Sequence, residues 1–261
     1  MSISINDIKN TIKSLEGEAL ENYINSLKAD QRQGVQKLIE SYYKQKEKAE
    51  KEVKRIKNMI AFDQDNINES EIVAGVDEVG RGPLAGPVVA ACVIMDTNYI
   101  IEGVNDSKKL SHEKREQLYD LIVKNSKYCA IWLVENDKID EINILNATFL
   151  AMRSAINHIS NEMKTDNKKI DLILVDGNQN IKGLEIAQKT VVSGDSKSYS
   201  IACASIVAKV YRDRLMEKYD LQYPGYDFAQ NKGYGTASHY DGLENLGLTP
   251  IHRKTFCKSM F

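Results

Sequence analysis

Ile72-Val-Ala-Gly-Val-Asp-Glu-Val-Gly-Arg-Gly-Pro-Leu-Ala-Gly-Pro-Val-Val-Ala-Ala-Cys-Val-Ile-Met95 decides the fold. It opens on a short apolar run, 72–76, and closes on a Val- and Ala-rich one, 87–95. Both read as buried strands, bounded by glycine and proline. The loop between them is short, as in a hairpin. Further out, 128–134, 171–175 and a short run at 189–192 read as a third, fourth and fifth strand. Helical patterns separate these later strands. Residues 112–124 follow Ser111, a good N-cap. Residues 147–164 place Leu150, Ile156, Ile159 and Met163 on one face, and 204–219 place Val207, Tyr211, Leu215 and Tyr219 likewise. The pattern predicts an α/β domain with a mixed sheet flanked by helices.

The chain on either side has a different texture. Residues 1–70 contain no proline and two glycines, Gly17 and Gly34, and are rich in Lys, Glu and Gln. Val35, Ile39, Tyr42, Ala49, Val53, Ile56 and Ile60 follow a heptad seam, with Lys46 filling the missing place. This predicts a helix over about 29–60, after one or two shorter ones, and makes 1–70 a helical N-terminal extension. Residues 41–58 carry seven Lys/Arg and three Glu. That basic stretch is either a solvated helical face or an accessory substrate- or partner-binding hairpin. Residues 63–70 read as a polar linker. The tail, 222–261, is turn-rich, with a brief helix near 236–246.

Composition narrows the function. Of 261 residues, 42% are hydrophobic, enough for a packed core. With 35 Lys+Arg against 37 Asp+Glu, the net charge is −2. The chain is no basic nucleic-acid coat, so nucleic acid must be met through local patches or metal ions. Cys92, Cys129, Cys203 and Cys257 have no Cys-x-x-Cys spacing, which argues against a zinc ribbon or a disulfide scaffold and for a reducing, cytoplasmic setting. Neither a signal peptide nor an apolar run long enough for a membrane helix is evident.

Three places share one grammar of apolar run followed by acid. Asp77-Glu78 ends the first strand and leads into Gly80-Arg81-Gly82; Asp176 ends the fourth and precedes Gly177; Asp195 stands in Ser193-Gly-Asp-Ser-Lys197. Ends of strands are where open α/β sheets build sites. Each acid taken singly also suits a turn or a helix cap. Taken together, four carboxylates repel one another unless a counter-charge joins them. Oxygen-only ligands suit Mg²⁺ or Mn²⁺, and carboxylate-held metal pairs serve in-line phosphoryl displacement. Gly80, Arg81 and Gly82 offer close backbone approach and a forked phosphate contact. Their spacing fits neither a P-loop nor a dinucleotide fold, so no nucleotide cofactor is expected. Lys108 and Lys109 precede a helix start and are placed to meet phosphates. Tyr234, in Lys232-Gly-Tyr-Gly235, suits stacking beside a cation. His239 and His252 read as structural, and His252-Arg253-Lys254 as a small basic patch.

Gly75-Val-Asp-Glu-Val-Gly-Arg-Gly-Pro-Leu-Ala-Gly-Pro-Val88 resembles the signature of bacterial ribonuclease HII. Asp106-Ser-Lys-Lys-Leu-Ser111, Val175-Asp-Gly177, Gly194-Asp-Ser-Lys197, Ala204-Ser-Ile-Val-Ala-Lys209 with Arg212-Asp213, Lys232-Gly-Tyr-Gly-Thr236 and His252-Arg-Lys-Thr-Phe256 match in the same order. The Gly-Arg-Gly form favours ribonuclease HII over ribonuclease HIII. The resemblance implies an RNase H-like fold with a C-terminal helical region, and a catalytic domain over 71–261. It implies cleavage of RNA in RNA–DNA hybrids and 5′ of ribonucleotides embedded in duplex DNA, with Mn²⁺ or Mg²⁺, leaving a 3′-OH and a 5′-phosphate. Asp77, Glu78, Asp176 and Asp195 would be the metal-binding acids. Gly80, Arg81 and Gly82 would touch the 2′-OH and phosphate at the RNA–DNA junction, and Tyr234 would stack on the following sugar. Asp213 would be structural. Ser193 stands where many members carry lysine. A monomer is expected. The acids alone leave two alternatives, a resolvase-like metal nuclease of the same fold and a non-catalytic hybrid-binding module.

Overall fold

The structure, a computed structural model, describes residues 3–68, 71–96 and 99–258. It divides into two compact units, Met1–Arg55 and Ile56–Phe261. The division falls inside a helix. The expected linker 63–70 is helical at its start, and its residues Glu69 and Ser70 lie outside the described residues.

The first unit comprises α1 (Ile5–Ser14), α2 (Gly17–Ser26), a 3-10 turn at Leu27–Ala29 and the start of α3 (Gln33–Gln64). Ser4 caps α1, its Oγ accepting from the Asp7 amide at 3.1 Å. Ile8, Ile24, Leu27, Val35 and Ile39 form its core. The heptad seam does not run unbroken along α3. Val35 and Ile39 belong to this core, Ala49 is exposed, and Ile56 and Ile60 belong to the core of the second unit. One periodic pattern therefore serves two separate cores.

The second unit is built on a five-stranded sheet in the order β3-β2-β1-β4-β5. The strands are β1 (Val73–Val79), β2 (Val88–Met95), β3 (Ser126–Val134), β4 (Leu172–Asp176) and β5 (Ala187–Val191). β1 and β2 form the expected hairpin, with Asp77 opposite Ala91, and β3 extends it antiparallel. β4 joins β1 in parallel, Val76 beside Val175, and β5 follows in parallel. The mixed sheet is as the sequence predicts. β2 is buried along its whole length. Its alternate residues Val88, Ala90, Cys92 and Ile94 meet the core under α6 (Ile144–Thr165), while Val89, Ala91, Val93 and Met95 meet the core on the other face. That other face is covered by α4 (His112–Asn125), the end of α3 and α7 (Tyr199–Gln222).

Three helical features differ from the sequence reading. α5 (Asn136–Ile142) and α8 (Phe228–Asn231) are too short to leave a periodic signature. α7 begins at Tyr199 rather than 204, because its first turns are buried on every side and show no polar face. Gly75 explains how it fits: a Cβ there would overlap the Ser200 and Ile201 backbone, so α7 lies directly on β1. α9 (Ala237–Leu246) matches the expected tail helix. The four cysteines are unpaired. Among the described residues no helix is long and apolar enough to cross a membrane.

Candidate active site

The acids assemble because three chain segments end at one edge of the sheet. Asp77 and Glu78 come from the last turn of β1's pleat, Asp176 is the final residue of β4, and Asp195 lies in a 3-10 turn, Gly194–Ser196, that leads into α7. The Gly194 amide donates to Asp176 Oδ1 at 2.7 Å. A Cβ at Gly194 would stand 3.0 Å from that oxygen and 2.6 Å from Ile201 Cδ1, so glycine lets this turn approach β4 without displacing either side chain. Asp77 is buried, accepts from the Glu78 amide at 2.7 Å and is hydrogen-bonded by the Ser205 side chain of α7. Ser205 Oγ lies 3.0 Å from Ser107 Oγ, which ties the 106–109 segment to the same place.

Electrostatics link the four acids in a chain. Burial, then the Glu78 and Asp176 charges, push the Asp77 carboxyl well above the ordinary range. Burial raises Glu78, with Arg81 opposing and Asp176 adding. Burial, then Asp106 and Asp176, raise Asp195. The cations within reach are few: Arg81 Nη1 is 3.1 Å from Glu78 Oε1, and Lys108 acts on Asp195. Mutual repulsion in a half-buried pocket of oxygen donors is the electrostatic setting that a hard divalent cation relieves. In donor chemistry the residues fit such an ion. In arrangement they stand as neighbours in sequence of repulsion, and among the described residues no three His, Cys, Asp or Glu close into one ligand set.

Asp106 belongs to this cluster although sequence reading passed over it. It shares a side-chain hydrogen bond with Asp195. Burial pushes its carboxyl up, but the Lys108 amide, at 3.0 Å, and the Lys108 charge prevail and hold it below the ordinary value. The available signal was that Asp106 opens the Asp-Ser-Lys-Lys motif in which only the lysines were weighed. Lys108 acts on both Asp106 and Asp195, and Lys109 Nζ pairs with Asp106 Oδ2 at 3.5 Å.

The Gly80-Arg81-Gly82 loop owes its shape to Arg253. This fully buried guanidinium donates to the carbonyls of Gly80 (2.6 Å), Arg81 (2.9 Å) and Gly86 (2.9 and 2.8 Å). A trans peptide points its N–H opposite its carbonyl. The amides of Arg81 and Gly82 thus face away from Arg253, on an exposed loop where an anion or hydroxyl can reach them. Arg212, also buried, donates to Pro87, Ala85 and Lys232 carbonyls at 2.9, 3.1 and 2.8 Å. Tyr234 stays 44% exposed, and its Cε1 lies 3.5 Å from where a Gly82 Cβ would be. Lys232, its neighbour in sequence, is instead bound to Glu217 at 2.7 Å.

Two expectations need correction. His252 and Arg253 are buried, so the tail offers Lys254 alone as an exposed cation of that trio. Asp63, assigned to a linker, is a buried cap for α7: its Oδ2 accepts from Ser200 N at 2.8 Å and Ser200 Oγ at 2.7 Å. Asp213 is buried against Lys209 Nζ at 2.8 Å, a structural pairing.

The family model described as Ribonuclease HII matches residues 74–259, and that of the Ribonuclease HII N-terminal domain matches 4–66. The chain is 45% identical over 258 residues to Ribonuclease HII of Clostridioides difficile, covering 98% of each chain. It is 44% identical over 257 residues to that of Listeria monocytogenes, covering 98% of this chain and 95% of the other. Among solved structures it resembles the ribonuclease H2 of Pyrococcus horikoshii OT3, with TM-score 0.57 and 28% identity over 72% of this chain and 96% of that one. A Bst-RNase HIII solved with Mn²⁺ shares the fold at TM-score 0.54 and 18% identity, over 67% of this chain and 70% of that one. With matches that span both its helical extension and its sheet, the chain belongs to the ribonuclease HII family.

Proposed function

We propose that this member of the family hydrolyses the RNA strand of RNA–DNA hybrids and cuts 5′ of ribonucleotides embedded in duplex DNA. The observation that carries the reading is the chain of four mutually repelling acids beside an exposed Gly-Arg-Gly loop and a half-exposed tyrosine. Family membership favours it over a resolvase-like nuclease or a silent hybrid-binding module. In the reaction a bond forms between a water oxygen and phosphorus, the bond from phosphorus to O3′ breaks, and the leaving oxygen takes up a proton. The products are a 3′-OH and a 5′-phosphate.

Asp77, Glu78, Asp176 and Asp195 would hold Mg²⁺ or Mn²⁺, two ions once substrate is bound, which there activate water and neutralise charge on the phosphate. The remaining residues bind and orient. The Arg81 guanidinium, half exposed and lightly paired, can take a phosphate in forked geometry. The outward amides of Arg81 and Gly82 suit the ribose 2′-OH, the group that separates RNA from DNA. Tyr234 closes the far side by stacking on the next sugar. Lys108 and Lys109 are placed for the flanking backbone. The substrate would thus be read by a rigid loop, while the acids do not themselves select it.

Asp77→Asn tests the division of labour. Turnover should fall by at least about a thousandfold, as for loss of a group on which the chemistry depends. Hybrid affinity in EDTA should stay within about threefold, since the binding groups are untouched. Unchanged turnover would remove Asp77 from the machinery.

A further inference from the structure

His239 and His252 are among the most deeply buried polar residues, 0% and 1% exposed, and neither reaches the acids. Their rings face each other with Nε2 to Nε2 at 3.0 Å. The Thr249 amide donates to His252 Nδ1 at 2.8 Å. Nδ1 is therefore an acceptor, and the His252 proton is on Nε2, from which it is donated to His239 Nε2. That leaves the His239 proton on Nδ1, where it is donated to the Tyr234 carbonyl at 2.9 Å. Each ring fixes the tautomer of the next, so the four groups form one directed chain from the Thr249 amide to Tyr234. Tyr226 and Phe228 pack around both rings, with centroids 5.1 to 6.2 Å away, and hold them in place.

The end of the chain is a loop pinned at several other points. Asn231 Oδ1 accepts from the Gly233 amide at 2.8 Å, Arg212 holds the Lys232 carbonyl, and the Thr236 amide meets the Tyr234 carbonyl at 2.8 Å. The Tyr234 ring is the part left exposed, beside Gly82. We infer that His239 and His252 are positioning residues that set the Tyr234 ring against the Gly-Arg-Gly loop and so set discrimination of the RNA–DNA junction. The inference rests on the reading of Tyr234 as the stacking residue.

Two substitutions split the chain differently. His239→Gln puts its amide where Nε2 was, keeping contact with His252 and losing the bond to Tyr234. His239→Asn puts an N–H donor where Nδ1 was and keeps that bond. The readout is the ratio of affinities for a duplex with one ribonucleotide and for an all-DNA duplex, by fluorescence anisotropy of the full chain in EDTA, with circular dichroism to check folding. Tyr234→Ala should lower the ratio about tenfold, the weight of one stacking contact. His239→Gln should approach that loss, His239→Asn should stay within about threefold of the parent, and His239→Gln with Tyr234→Ala should be no worse than Tyr234→Ala alone. If His239→Gln fails to fold, His252→Asn breaks the chain at the other ring and should give the same loss. A folded His239→Gln or His252→Asn protein with an unchanged ratio, or losses that add in full, would overturn the inference and leave the stacking role intact. An unchanged ratio in Tyr234→Ala would overturn both.

Discussion

Arg253 is the residue that pins the Gly-Arg-Gly loop by its backbone. It has no carboxylate partner among the described residues, and its charge is spread over three backbone carbonyls. Burial and the nearby Arg212 pull its pKa down to about 9, which still leaves it charged at neutral pH. Arg253→Lys keeps a cation but cannot span that fork. Unpaired buried carbonyls should cost about 2–4 kcal/mol of stability. Activity on embedded ribonucleotides should fall further than stability explains, because the Arg81 and Gly82 amides lose their fixed direction. Thermal melts alongside cleavage rates check both; a melt unchanged from the parent would deny Arg253 this role. Neither buried arginine was legible as such in the sequence. Arg253 looked like a surface cation beside Lys254, since its partners lie about 170 positions upstream in the chain.

Among elements, the strands were the most legible and the short helices α5 and α8 the least, with α7 legible except at its start. β1, β2 and β4 are short apolar runs bounded by glycine, proline or acid, and a buried strand in a covered sheet has that composition. The start of α7 escaped periodic reading because Tyr199 to Ala208 are all buried, so polar and apolar positions do not alternate around it there. Ser198 caps it locally, but its Ser200 amide is also held by Asp63, 137 positions away, which no local motif announces. The acids were legible because each follows a short apolar run, and a charge at the end of a buried run has few structural excuses. Asp106 was not, since it lies in a loop with lysines that explain it otherwise. The contact between β1 and α7 gives an element-scale prediction. Gly75→Ala places a methyl group inside the Ser200 and Ile201 backbone, which cannot move aside as a side chain would. The cost should be about 3 kcal/mol by urea denaturation, with Asp195 displaced and activity reduced. A neutral substitution would mean that α7 stands off the sheet.

For the molecule as a whole, two buried groups set opposite trends with pH. Burial pushes the Asp63 carboxyl up to about 6, so the folded chain holds a proton that the unfolded chain releases from about pH 4 upward. Its contribution to stability falls as pH rises from about 4 to 6. Burial and His239 hold His252 down at about 4, so the unfolded chain binds that proton first, and stability falls as pH drops from 6.5 toward 4. Asp63→Asn removes the first trend. Its melting temperature relative to the parent should therefore rise between pH 4.5 and 7, and a constant difference would contradict the assignment. On the proposed reading, function, unlike stability, needs the strand ends and the tail to meet at one place, since acids, Gly-Arg-Gly loop and Tyr234 come from segments spread over residues 77–234. The most direct measurement of that claim uses three labelled duplexes: one with a single ribonucleotide in DNA, one full RNA–DNA hybrid and one all DNA. Each is incubated with Mg²⁺, with Mn²⁺ and with EDTA. The account predicts metal-dependent cutting of the hybrid and a cut 5′ of the lone ribonucleotide, with all-DNA intact. Cutting of the all-DNA duplex, or cutting that persists in EDTA, would contradict it.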